Sequence, residues 1–118
     1  MRRTTVLKRN KDMPHRPLPN CHGGTGALDF TVVLDGKESD GQAVRFLHDD
    51  ILGPGVSIGV HRHEHEEHYY VLSGRGTMTL DGERVEVGPG DVASVWAGGS
   101  HGLENIGPGD MRIIVVGL

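Results

Sequence analysis

An all-β domain, closed as a sandwich or a barrel, is the fold class this sequence predicts. Three observations carry that reading. Glycine occurs 19 times in 118 residues, roughly twice its usual share and without a collagen period. Short β-prone runs recur at 28–34, 43–48, 56–63, 67–73, 76–80, 84–87, 92–96, 101–105 and 111–116, each bounded by turn residues. No segment sustains helical periodicity over the roughly ten residues an ordinary helix needs.

Taken in order, the chain opens with a short strand expected near Thr4–Lys8. A stretch rich in proline and glycine, MPHRPLPNCHGGTG over 13–26, then reads as an irregular connection. Later turns are marked by Asp35-Gly36, Gly53-Pro54-Gly55, Ser73-Gly74, Gly88-Pro89-Gly90, Gly98-Gly99 and Gly107-Pro108-Gly109. Asp81-Gly82, between TMTL and ERVEV, is the strongest hairpin signal, because a type I′ turn needs positive φ at both central residues.

Composition narrows the function classes. Hydrophobic residues make up 36% and charged residues 24% of the chain, which favours a folded globule over disorder. No apolar run approaches the roughly 18 residues of a membrane helix, and no apolar stretch follows the basic start as a secretory signal would require. The single cysteine, Cys21, fits a reducing cytoplasm. Arg2, Arg3, Lys8, Arg9 and Lys11 form a basic arm, while beyond it seven basic residues face sixteen acidic ones. Such an arm suits an anionic partner or a solvated chain end. The acidic remainder and the lack of interleaved aromatics argue against nucleic acid.

Histidine carries the chemistry. Four of the eight histidines fall in GVSIGVHRHEHEEHYYVLSG, between Gly55 and Gly74. On a strand, residues i and i+2 share a face about 6.6 Å apart, so His61 and His63 can converge on one ion. Glu67 on an uninterrupted strand would stand about 13 Å from His63. The chain must therefore reverse around Glu64-His65-Glu66, returning Glu67 as a hairpin would. A helix would align His61, His65 and His68, but the β-rich flanks VSIGV and YYVL oppose it. The HExxH metalloprotease pattern is absent in every register. A solvated polar tract is the remaining alternative, and it suits His65 and His68. With His61 and His63 inward, strict alternation turns Val56, Ile58 and Val60 outward. That apolar outer face would need a cover, and a homodimer supplies one.

These residues resemble the cupin superfamily. Its first motif is glycine, five residues, His-any-His, three or four residues, Glu, six residues, glycine. Gly55, His61, His63, Glu67 and Gly74 meet every spacing. Its second motif is matched by Gly90, Gly98, His101 and Asn105, with Trp96 standing where proline is expected. The resemblance implies a jelly-roll β-barrel over 27–118, preceded by the basic arm and connection of 1–26. It also implies one divalent transition metal held by His61, His63, Glu67 and His101.

Such a donor set suits iron or manganese, with zinc, nickel and copper also compatible. Octahedral preference leaves two adjacent positions for an oxygen-rich small molecule. A metal-dependent oxygenase, isomerase or lyase follows from that, or a module that binds its ligand without turning it over. Tyr69 is a candidate catalytic acid or base, with His48 and Arg45 behind it. Trp96 reads as core or interface packing and Asn105 as a partner for backbone groups at a strand end. Cys21 beside His22 lacks the third group that would orient a thiolate nucleophile.

Overall fold

A computed structural model of the chain describes residues 5–39 and 43–118. Among these residues there are ten strands: β1 (His15–Pro19), β2 (Ala27–Asp35), β3 (Phe46–Leu52), β4 (Ser57–Arg62), β5 (Glu67–Ser73), β6 (Gly76–Leu80), β7 (Glu83–Val87), β8 (Val92–Val95), β9 (Ser100–Asn105) and β10 (Met111–Gly117). Two single 3-10 turns, Asn10–Asp12 and Cys21–Gly23, make up the described helical content. None of the described helices is long and apolar enough to cross a membrane.

The strands divide into a six-stranded sheet, β1-β2-β3-β10-β5-β8, and a four-stranded sheet, β4-β9-β6-β7. Apolar side chains from both inner faces share one core. Leu28, Leu52, Val71, Met111 and Ile113 come from the larger sheet; Ile58, Met78 and Leu103 come from the smaller. Two facing antiparallel sheets of this order are a jelly roll, as the resemblance to the cupin motifs implies.

The interior changes character along the strands. On β3 the inward series runs Leu52, Asp50, His48, Phe46, opposite Met111, Ile113, Val115 and Gly117 of β10. Tyr69 and Glu67 of β5 stand opposite Val115 and Gly117. One end of the barrel is therefore closed by Leu52 and Met111, both fully buried. The other end is lined with polar groups.

Several expectations change against this frame. The first strand is His15–Pro19, inside the stretch expected to be irregular, and it pairs with β2 from His15↔Thr31 to Pro19↔Ala27. Pro17 and Pro19 lack an amide donor but are tolerated because β1 is an edge strand. Residues 5–8 form no strand and Thr4 lies outside the described residues. In the basic arm, Lys8 donates from Nζ to the Val33 carbonyl and pairs with Glu38 at 2.9 Å. β3 runs over 46–52 rather than 43–48, because the paired acids that look like a loop point opposite ways. Asp49 meets Arg112 outside, and Asp50 enters the barrel.

The smaller sheet breaks the alternation expected around His61. Ile58 pairs with Leu103, and His61 with His101. β4 thus advances three residues while β9 advances two, which is a β-bulge. The extra residue turns both Ile58 and His61 inward. Ile58 belongs to the core, so the outer face expected from Val56, Ile58 and Val60 keeps only Val60 well exposed. Trp96 is not core either: it is 63% exposed and meets the edge of His68. Its turn nevertheless closes, with the Gly99 amide donating to the Trp96 carbonyl and Gly98 at positive φ.

Two local expectations hold. Asp81 (φ 48) and Gly82 (φ 84) join β6 to β7 with positive φ at both positions, the type I′ signature. Asn105 donates from Nδ2 to the carbonyls of Leu52 and Gly109 and accepts the Gly107 amide at Oδ1. It is 2% exposed, so its loss would strand buried backbone groups. Asn105→Ala should lower unfolding free energy by about 2–3 kcal/mol, measured by denaturant titration. A loss under about 0.5 kcal/mol would mean water replaces the amide without penalty.

Candidate metal centre

Four donors meet at the polar end of the barrel. His61 comes from β4, His63 from the residue immediately after that strand, Glu67 from the start of β5 and His101 from β9. One ligand atom from each lies within 4.8 Å of the other three. His63 Nε2 is 2.8 Å from His101 Nε2 and 3.2 Å from Glu67 Oε1, and His101 Nε2 is 3.7 Å from the same oxygen. Adjacent ligands about 2.1 Å from one ion stand about 3 Å apart, so these spacings fit a shared cation.

The chain reverses between His63 and Glu67 as expected, but not as a hairpin. β4 pairs with β9, whereas β5 pairs with β10 and β8. The reversal carries the chain from one sheet to the other. Glu67 therefore faces His61 and His63 across the barrel mouth instead of lying beside them in a ladder.

Backbone acceptors orient two of the imidazoles. His61 Nδ1 is 2.8 Å from the Gly59 carbonyl and His63 Nδ1 is 2.8 Å from the His65 carbonyl. A carbonyl only accepts, so each Nδ1 carries the proton and each Nε2 offers a lone pair to the centre. His101 is fully buried, and its Nδ1 has no partner. Burial first, then neighbouring His61 and His63, pushes its pKa down to about 3. A neutral His101 either donates from Nε2 to the His63 lone pair and leaves Nδ1 a bare buried acceptor, or keeps its proton on Nδ1 and turns two lone pairs toward one point. A cation bound at that point would satisfy both lone pairs. The donor set passes that chemical test for a metal.

Around these four lies a second layer that composition and spacing did not reveal. His65 reads in the sequence as solvated, yet its Nε2 is 2.7 Å from Glu67 Oε2 and its ring stacks on His63 with centroids 4.2 Å apart. The correction has a physical cause: the tight reversal folds His65 back over its neighbours. His68, by contrast, faces outward to Ser94 and Glu66. Tyr69 is inward, 5% exposed, with its ring edge-on to His101 at 5.0 Å. Burial, then the Glu67 charge, holds its hydroxyl protonated well above the ordinary range. His22 stacks on His61 with centroids 3.5 Å apart and planes 8° from parallel.

Other candidates fall elsewhere. Arg45 is exposed ahead of β3, beside Lys37 and Leu118 in a surface groove. Cys21 packs against the core, and burial followed by Asp50 and Glu67 pushes its thiol pKa up, the reverse of what a thiolate nucleophile requires. A groove of about 600 Å³ lined by Arg62, Asp81, Trp96 and Ser100 contains none of the four donors. Convergence of donors, not groove size, marks the site.

The fold and this geometry agree with what the chain is similar to. A family profile described as "Cupin domain" matches residues 50–117. The chain belongs to the cupin family. An "Oxalate-binding protein" of Thermotoga maritima is 33% identical over 114 residues, covering 96% of this cupin and 93% of that protein. The solved structure of a predicted oxalate decarboxylase from Thermotoga maritima superposes with a TM-score of 0.88 at 31% identity, covering 96% and 98% of the two chains. A "Quercetin 2,3-dioxygenase" of Bacillus subtilis is 38% identical over 79 residues, but this cupin spans only 23% of it.

Deeper in the barrel, Asp50 is 3% exposed and its Oδ1 has no partner. Phe30 and Ile113 flank it on β2 and β10, and His48 precedes it on the inward series. Burial, then the Asp49 charge, pushes its carboxyl up to about 7. A folded-state pKa above the unfolded value gives stability that is complete below about pH 4 and is lost as pH rises through 7. Burial also lowers His48 to about 4, and that group acts oppositely, losing stability as pH falls through the same range. Asp50→Asn isolates the first effect. Its stability relative to the parent should grow with pH from 5 to 8 in denaturant titrations, and a constant difference would show that Asp50 is ionised throughout.

Proposed function

We propose that this cupin holds one divalent transition metal through His61, His63, Glu67 and His101, and binds a small oxygen-rich anion at the metal's remaining positions. The observation that carries the reading is the convergence of three imidazoles and one carboxylate at the polar end of the barrel. Iron or manganese suits the donors best, and zinc, nickel and copper are compatible. A dicarboxylate of oxalate's size is the ligand class, supported by the relative whose name is oxalate-binding protein.

The metal would supply Lewis-acid polarisation of a bound oxygen. The chain's own residues supply the rest: His65 orients Glu67, and Tyr69 offers a protonated hydroxyl beside the carboxylate. That hydroxyl supports a catalytic form of the same reading, an oxygenase, isomerase or lyase with Tyr69 as proton donor. A homodimer remains part of the proposal on different surface. Tyr70, Leu72 and Val92 are exposed together on the outer face of β5 and β8, an apolar patch that a second copy can cover.

Elemental analysis of untagged protein should give about one metal per chain, and His101→Ala should lose it. Calorimetric titration should then detect oxalate binding to the loaded protein alone. Equal binding to metal-free protein would defeat the proposal. Because ligation needs neutral imidazoles, occupancy should fall below about pH 6, and full retention at pH 4.5 would contradict it. His65→Ala should weaken metal binding roughly 10- to 100-fold in chelator competition, whereas His68→Ala should leave it unchanged.

A further inference from the structure

The turn that carries His22 is seated against the mouth of the barrel at a conformational cost. Asn20 and His22 both hold left-handed backbone, with φ 50 and 49, a region that few non-glycine residues occupy. Two glycines let the turn lie directly on β4. A Cβ on Gly24 would stand 2.1 Å from the Ser57 carbonyl oxygen, and one on Gly59 would stand 2.1 Å from that of His22. The Thr25 amide donates to Ser57 Oγ at 2.8 Å, the Ser57 amide donates to the Thr25 carbonyl at 2.9 Å, and Asn20 Nδ2 donates to the Gly24 carbonyl at 3.1 Å. Backbone strain over-determined in this way is a feature of functional sites.

What the turn achieves is the placement of one imidazole. Three aromatic side chains back the three histidine donors: His65 lies on His63, Tyr69 meets His101, and His22 lies on His61. Two of them are committed, because His65 bonds Glu67 and Tyr69 is buried. His22 is exposed, and its ring nitrogens make no hydrogen bond among the described residues. Its orientation comes from the turn and from stacking on His61, which leaves its ring nitrogens without a partner among the described residues, beside one of the donors.

We propose that His22 is a ligand-contacting residue, whose ring N–H hydrogen-bonds an oxygen of the small anion held at the metal's open positions. This rests on the metal-centre reading above. It adds to that reading a selection for anions with a further oxygen beyond those on the metal, such as a dicarboxylate, over a monodentate one.

Two variants separate the hydrogen bond from the stack. His22→Phe keeps a flat ring against His61 but has no N–H. His22→Asn accepts the left-handed backbone, so the turn stays folded, and removes the ring. Wild type and both variants are loaded with manganese, assayed for metal content, and titrated calorimetrically with oxalate and with acetate. Both variants should retain about one metal per chain and bind oxalate tenfold or more weakly, the size expected for one lost hydrogen bond to a charged group, with acetate affinity little changed. Wild-type oxalate affinity in His22→Phe would overturn the proposal by showing that stacking is the whole role. Metal loss in both variants would also overturn it, placing His22 behind the ion instead of beside the ligand. Wild-type protein that takes up no metal would sink the metal-centre reading first, and this inference with it.

Discussion

The single extra residue in β4 is the constraint on which the rest of this site depends. Ile58 and His61 differ by an odd number of positions, so an unbroken strand would turn them to opposite faces. The bulge sets Ile58 against Leu103 and His61 against His101. One strand therefore supplies both a core residue and a donor, and the histidine pair sits directly across the ladder. Glu67 completes the set only because the following reversal crosses between sheets.

Placing polar groups inside a small barrel carries a desolvation cost, and the structure meets it unevenly. Where a carbonyl is within reach, as at Gly59 and His65, an imidazole gives its Nδ1 proton to the backbone and keeps its other lone pair free. Where no partner is available, the group shifts its charge state. His101 stays neutral, and Asp50 holds a proton into the neutral range. Buried groups left in this condition are rare in folded proteins, and here one is a donor at the barrel mouth and the other lies deeper, one inward step from Leu52.

The layer behind the donors shows how tertiary contacts assign roles that spacing hides. His65 and His68 look equivalent as members of one polar tract. The reversal turns His65 onto His63 and Glu67, while β5 carries His68 to the outer face. His22 is separated from His61 in sequence by the whole of β2 and β3, and it reaches the site because Gly24 and Gly59 allow two backbones to touch. A histidine in a proline- and glycine-rich stretch, outside the spaced cluster of 61–68, carried no signal of that contact.

Much of the molecule was nonetheless legible in the chain itself. Glycine-bounded β-prone runs located most strands, β5 and β6 residue for residue, and Asp81-Gly82 specified its hairpin, because turn chemistry and two-residue alternation are local properties. The spacing of His61, His63 and Glu67 pointed to a shared ion, and the resemblance to the cupin motifs added His101; the fold brings all four together. The sequence misplaced β1 and shifted β3, because prolines at an edge and acids facing opposite ways imitate a loop. Only the tertiary structure decided the inward turn of Ile58, the backing roles of His65 and His22, and the exposure of Trp96. Each of those depends on which strands pair and how closely two backbones approach, and no local pattern of residues encodes that.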